Sequence, residues 1–289
     1  MKSRWVLITG TSTGIGRATA LRLAADGFSV IAAVRRQADA DELSAAACTG
    51  ELIPILMDVA HAGSIHAAFQ QVQALVGEAG LYALINNAGM VVPGPVEHLS
   101  SADWRRQFDV NFFGAIELTR VMLPLLRMGV SAHGRGVPRI LLVSSIGARI
   151  AQPILSPYTS SKAAMSSLGE SLRLELSRQG IGVTIIEPGA IATAIWGKGE
   201  VSASEFGPDH PARALYGSEI DGLTKLAART AASAISVEKA AIALVRALVA
   251  RTAPAKVLVG RDAVIGATLK KWLPASWFEA ILRREFGIA

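Results

Sequence analysis

The sequence predicts an α/β fold of the doubly wound kind: a parallel sheet of about seven strands with helices on both faces. Two observations predict it. Short apolar runs, rich in β-branched residues, recur at 5–9, 29–34, 52–58, 83–86, 139–144, 182–187 and 256–260, and stretches of helical period separate them. Most of these runs are continuously apolar rather than alternating, the pattern of strands covered on both faces and joined by right-handed crossover helices.

The elements follow in order. The first strand runs directly into a glycine-rich turn, which opens a helix over 15–26. Two long helices are expected over 101–128 and 157–179. The segment 190–229 breaks the alternation with scattered Gly, Pro and charge, as a lid over a cleft would. The stretch 264–289 closes the chain with Leu269, Trp272, Trp277 and Phe278 among Lys270, Lys271, Arg283 and Arg284. It is expected to dock on its own domain or a second subunit, with peripheral membrane contact as the alternative. No repeat or linker divides the 289 residues, so one domain is expected across 1–289.

Composition narrows the function. The chain is 51% hydrophobic and 18% charged, with a net charge of +6, which excludes a disordered chain. Its basic residues are dispersed, so nucleic acid binding is not expected. The single cysteine, Cys48, can form no internal disulfide and fits a reducing compartment, so a cytoplasmic location is expected. His61, His66, His98, His133 and His210 show no metal-ligand spacing, so no metal is expected.

Thr9-Gly10-Thr11-Ser12-Thr13-Gly14-Ile15-Gly16 lies between the first strand and its helix. Glycines there let backbone approach a pyrophosphate, and the helix N-terminus offers free N–H groups; Gly10, Ser12, Thr13, Gly14, Ile15 and Gly16 are the expected contacts. This is a Rossmann-type dinucleotide cradle in the strand-to-helix context it requires. The second strand ends in Val34-Arg35-Arg36 with no acid for a ribose 2′-hydroxyl, whereas a guanidinium holds a 2′-phosphate. NADP(H) is therefore expected over NAD(H), with Arg35 the first candidate and Arg36 the second; Asp39 and Asp41 come too late in sequence. Asp58, followed by Val59, either accepts from the adenine amino group or caps its own turn.

Further motifs follow in order: Asn86-Asn87-Ala88-Gly89, Asn111, Ser144-Ser145, Tyr158-Thr-Ser-Ser-Lys162 and Pro188-Gly189. Together with the glycine turn they resemble the short-chain dehydrogenase/reductase family over about residues 5–193, and the closing segments resemble its steroid- and retinol-type members. Tyr158 and Lys162, four apart, share one helix face, and an ammonium near a phenol favours the phenolate. Tyr158 is thus the expected general acid in reduction and base in oxidation.

The resemblance implies more. Lys162 would also bind the nicotinamide ribose, Ser145 the substrate oxygen, and Asn111 the water of a proton relay. Asn87, Ala88 and Gly89 would brace the sheet beside the adenosine ribose. Pro188, Gly189, Ile191 and Thr193 would meet the nicotinamide end.

The substrate end is expected to be lined by Ile146, Gln152, Leu155, Ile195 and Trp196 beside Ser145 and Tyr158, which points to a lipophilic secondary alcohol or ketone, steroid-, retinoid- or lipid-like. Two alternatives are a 3-oxoacyl thioester reductase and a dinucleotide-sensing protein without catalysis. The long helices resemble those through which family members associate, so a homodimer or homotetramer is expected.

Overall fold

The structure, a computed structural model, describes residues 3–46, 50–192 and 206–288, without the side chains of 230–233. Cys48, Thr193, Ile195 and Trp196 lie outside the described residues.

Seven parallel strands form one sheet in the order β3-β2-β1-β4-β5-β6-β7. They are β1 (Trp5–Thr9), β2 (Ser29–Val34), β3 (Leu52–Leu56), β4 (Leu81–Asn86), β5 (Arg139–Val143), β6 (Gly182–Pro188) and β7 (Lys256–Val259). Every residue of β1, β2 and β5 is buried. The two-residue period of a strand sorts those side chains between two layers. Trp5 and Leu7 join the core under α3 (Ala62–Val76), α5 (Gly114–His133) and α6 (Ser156–Glu175). Val6 and Ile8 join the opposite core under α1 (Gly14–Ala25) and α8 (Val237–Val249). The remaining helices are α2 (Gln37–Ala45), α4 (Ser101–Phe108), α7 (Arg213–Ser233), α9 (Arg261–Trp272) and α10 (Ala275–Phe286).

The strand order reverses between β1 and β4, and in such sheets a crevice opens there at the strands' C-terminal ends. The glycine turn follows β1, and the Asn87-Ala88-Gly89 segment follows β4, so both meet at that crevice.

Two expectations are corrected. The helix expected over 101–128 is two: α4 starts on a Ser100–Asp103 capping box, and a π-helical turn, Asp109–Phe113, separates it from α5. The described part of the expected lid is not irregular: α7 spans most of it, kinked at Tyr216. Its Ile220 and Leu223 pack with Val91, Ile154, Leu155, Phe206 and Phe286 in a third core. The closing stretch forms α9 and α10 and docks on its own chain through Ala263, Ala267, Phe278 and Phe286. No helix of the described residues is long and apolar enough to cross a membrane.

Candidate active site

The glycine turn is shaped by close contact. Gly10 adopts φ +67°, the left-handed region that suits glycine, and a Cβ there would fall 2.8 Å from Ala88 Cα. A Cβ on Gly16 would collide with the Gly10 carbonyl and the Asn87 side-chain amide. Gly16 therefore serves helix-to-strand packing and, unlike Gly10, Ser12, Thr13, Gly14 and Ile15, does not line the crevice.

Polar side chains hold the turn. Thr11 donates to the Ala33 carbonyl at 3.0 Å. Asn87 donates to the carbonyls of Thr9 (2.8 Å) and Gly10 (3.1 Å). The buried Thr9 hydroxyl accepts from the N–H groups of Asn87 (3.0 Å) and Ala88 (2.9 Å). Thr9 and Thr11 escaped the sequence reading because a threonine at a strand end carries no signal that its hydroxyl ties a loop 78 residues away.

The crevice has a volume of about 700 Å³ and runs from this turn to Tyr158 and Lys162, with Val59, Ala88, Gly89, Pro188, Gly189 and Ile191 along it. At its adenosine end lie Arg35, Arg36 and Asp39. Arg36 grips Asp39 through two bonds, Nη2 to Oδ1 at 2.6 Å and Nε to Oδ2 at 2.9 Å, and this pairing holds the guanidinium above its usual pKa. The first turn of α2 thus brings Asp39, dismissed on sequence distance, to the crevice wall and engages Arg36. Arg35 lies exposed beside them. Asp58 lines the crevice while its Oδ1 accepts from Ala60 N at 2.9 Å, so the turn-capping alternative describes its bonding.

At the other end stand Ser145, Tyr158 and Lys162. Ser145 Oγ accepts from Gly147 N at 3.0 Å and faces the Tyr158 hydroxyl. The neighbouring Ser144 donates to the Lys162 carbonyl and shares a bond with Ser166, a structural role. Lys162 is buried and donates from Nζ to the Val143 carbonyl at 2.8 Å; burial brings its pKa down to about 8. Burial raises that of Tyr158, against a smaller opposing effect of the Ser145 hydrogen bond. The expected depression of the phenol by Lys162 is therefore absent here: the ammonium faces Val143 and lies 5.9 Å from the tyrosine ring centre.

Asn111 sits in the π-turn, fully buried. Its Oδ1 accepts from Met90 N (2.8 Å), and its Nδ2 donates to Met90 O (3.0 Å) and Ser161 Oγ (3.1 Å). Its side chain clasps the loop after β4 and ties it to α6, one residue before Lys162.

The expected substrate wall is drawn differently. Leu155 is completely buried in the third core, Ile146 and Gln152 are not on the crevice wall, and the turn Ile146–Ala148 packs beside α9. Arg149 is ion-paired to the buried Glu187 at 2.6 Å. Met90, Val110, Val143 and Ile191 line the crevice instead. Leu155, expected to face the ligand, is core because helices distant in sequence, α7 and α10, cover it.

One further residue enters from far along the chain. Asp262 Oδ2 accepts from Ala190 N at 2.6 Å, and its carboxylate occupies the space where side chains on Gly189 and Gly260 would stand. It clamps the turn after β6 that lines the crevice.

A dinucleotide fits this arrangement: a glycine-lined helix N-terminus for phosphates, a guanidinium at one end, and a hydroxyl pair with an ammonium at the other. Residues 4–201 match the family model described as short chain dehydrogenase, and the chain belongs to that family of oxidoreductases. A protein of Ornithobacterium rhinotracheale named NADPH-dependent 3-dehydrocapnine reductase is 33% identical over 208 residues, covering 70% of this chain and 71% of that one. The 17-beta-hydroxysteroid dehydrogenase type 2 of Homo sapiens is 38% identical over 195 residues, 66% of this chain and 48% of that one; the match spans less than half of that relative. The crystal structure of a short-chain dehydrogenase from Streptomyces avermitilis superposes with a TM-score of 0.75 at 29% identity over 98% of both chains.

Proposed function

We propose that this protein interconverts a lipophilic secondary alcohol and its ketone with NADP(H), using Tyr158 as general acid and base. The observation that carries the reading is a single crevice joining the glycine turn to Ser145, Tyr158 and Lys162. The bound nicotinamide would supply or accept the hydride. Gly10, Ser12, Thr13, Gly14 and Ile15 would hold the phosphates, and Arg35 the 2′-phosphate; Arg36 would hold Asp39, keeping that carboxylate from repelling it. Asp58, Asn87, Ala88, Gly89, Pro188, Gly189 and Ile191 would frame the rest, joined by Thr193.

In reduction Tyr158 gives its proton to the carbonyl oxygen, which Ser145 also hydrogen-bonds. The raised phenol pKa keeps that proton in place at neutral pH until the carbonyl takes it. In oxidation the Tyr158 phenolate takes the alcohol proton, and Lys162 would hold the nicotinamide ribose of the bound cofactor. Asn111 acts on this pair by holding the Met90 loop and Ser161. The apolar wall of Met90, Val110, Val143 and Ile191 supports an apolar substrate, as does the name of the hydroxysteroid dehydrogenase relative, and the name of the NADPH-dependent relative supports the cofactor. The exposed Phe113 of the π-turn and Leu174 on α6 support association into a homo-oligomer.

The test is titration with NADPH and NADH, followed by fluorescence, in wild type and Arg35→Ala. Loss of a guanidinium–phosphate pair predicts NADPH binding weaker by about tenfold or more with NADH binding unchanged. Preference for NADH, or no response to the mutation, overturns the cofactor assignment.

A further inference from the structure

We propose that α9 and α10 form a docking face for an anionic lipid surface. Along α9, Ala263 and Ala267 are buried against the domain, while Ile265, Leu269 and Trp272, spaced i, i+4, i+7, point the other way and are exposed. On α10 the same division recurs: Phe278 and Phe286 are buried, Trp277 and Ile281 exposed. Each helix therefore has two apolar faces, only one of which the domain covers. Trp272 is 73% exposed and Trp277 67% exposed; five residues apart across one corner, they lie no more than about 18 Å from each other. Two tryptophans held outside any core suit the water–lipid boundary, where an indole keeps its N–H wet and its rings dry.

Charge selects the occupant. Arg261, Lys271 and Arg284 stand among these side chains, Lys271 over the Trp272 ring, while Lys270 reaches over the ring of Phe278; none of the four is ion-paired to an acid among the described residues. Of the acids here, Glu279 pairs with Arg283, Glu285 with Arg229, and Asp262 holds the Ala190 N–H. The face thus presents net positive charge. A second copy meeting it across a two-fold axis would set one net-positive face against another, whereas anionic headgroups would neutralise the cations while the apolar side chains enter the acyl boundary. This inference does not depend on which substrate or cofactor is used.

The experiment is sedimentation of the whole chain with vesicles of phosphatidylcholine containing about 30% phosphatidylglycerol, or of phosphatidylcholine alone, at about 0.1 M salt. Binding to the anionic vesicles is expected, falling at least about tenfold on phosphatidylcholine or in Lys270→Glu/Lys271→Glu, since each basic residue near such a surface contributes about fivefold. Trp272→Ser/Trp277→Ser removes exposed side chains only; it should keep the wild-type melting curve yet lose binding by about tenfold or more. In wild type, brominated acyl chains should quench tryptophan fluorescence. Equal partition of wild type and the tryptophan variant overturns the proposal. So does a wild-type oligomer that ignores vesicles and falls apart in that variant, which would make the face a self-interface.

Discussion

Asp262→Ala tests whether the turn after β6 is held in place for the cofactor by a residue 72 positions away. The bond lost is a short one, 2.6 Å from Ala190 N to a carboxylate oxygen. Charge-assisted bonds of this kind contribute about 1.5–3 kcal/mol, and the exposure of this carboxylate places it at the lower end. The substitution also empties the space filled between Gly189 and Gly260, both without side chains. If ordering of Pro188–Ala190 must then be recovered on binding, about 1.4 kcal/mol appears as about tenfold weaker cofactor affinity. Fluorescence titration with NADPH should read that loss, and steady-state rates should show a higher cofactor KM with kcat within about threefold. Asp262→Asn keeps an acceptor oxygen without the charge and should recover about half of the loss in free energy. Binding by Asp262→Ala within about twofold of wild type, with an unchanged melting temperature, would refute the clamp.

Two further outcomes follow from the same geometry. Thr9→Val leaves the half-buried N–H groups of Asn87 and Ala88 without their acceptor, so denaturant unfolding should show a loss of about 1–3 kcal/mol, which Thr9→Ser should largely avoid. For Lys162, the folded pKa of about 8 lies below the ordinary 10.5. Below pH 8 both folded and unfolded chains carry the proton and the full burial cost is present. Between pH 8 and 10.5 the unfolded chain binds more protons, so stability rises with pH and the cost is relieved. The advantage of Lys162→Met over the cofactor-free wild type should therefore shrink by up to about 3 kcal/mol from pH 7.5 to 10.5; a flat difference would mean that Lys162 is not desolvated.

The strands were legible because each is an apolar run: β1 and β2 fall on the residues expected, and the others differ by one or two at an end. The break between α4 and α5 was not, since Asp109-Val110-Asn111-Phe112-Phe113 contains neither Gly nor Pro and reads as continuous helix. The glycine turn, Ser145, Tyr158 and Lys162 were legible as motifs, and the structure gathers them along one crevice. Asp39 was dismissed because distance along the chain hides the first turn of a helix folding back on the strand end. Leu155 was misplaced for the converse reason: its apolar character marks burial but not whether a ligand or Phe206, Leu223 and Phe286 provide it. The spacing of Tyr158 and Lys162 shows their proximity but not the burial that raises the phenol, nor the Val143 carbonyl toward which the ammonium turns.

The central claim is that Tyr158 moves the proton in an NADP(H)-linked carbonyl reduction. It is tested most directly by following NADPH consumption at neutral pH with a panel of steroid and other lipophilic ketones, comparing wild type with Tyr158→Phe. Wild type should turn over at least one ketone, and the variant should lose about 10²-fold or more in kcat with NADPH still bound. Turnover by Tyr158→Phe within a few-fold of wild type would contradict it.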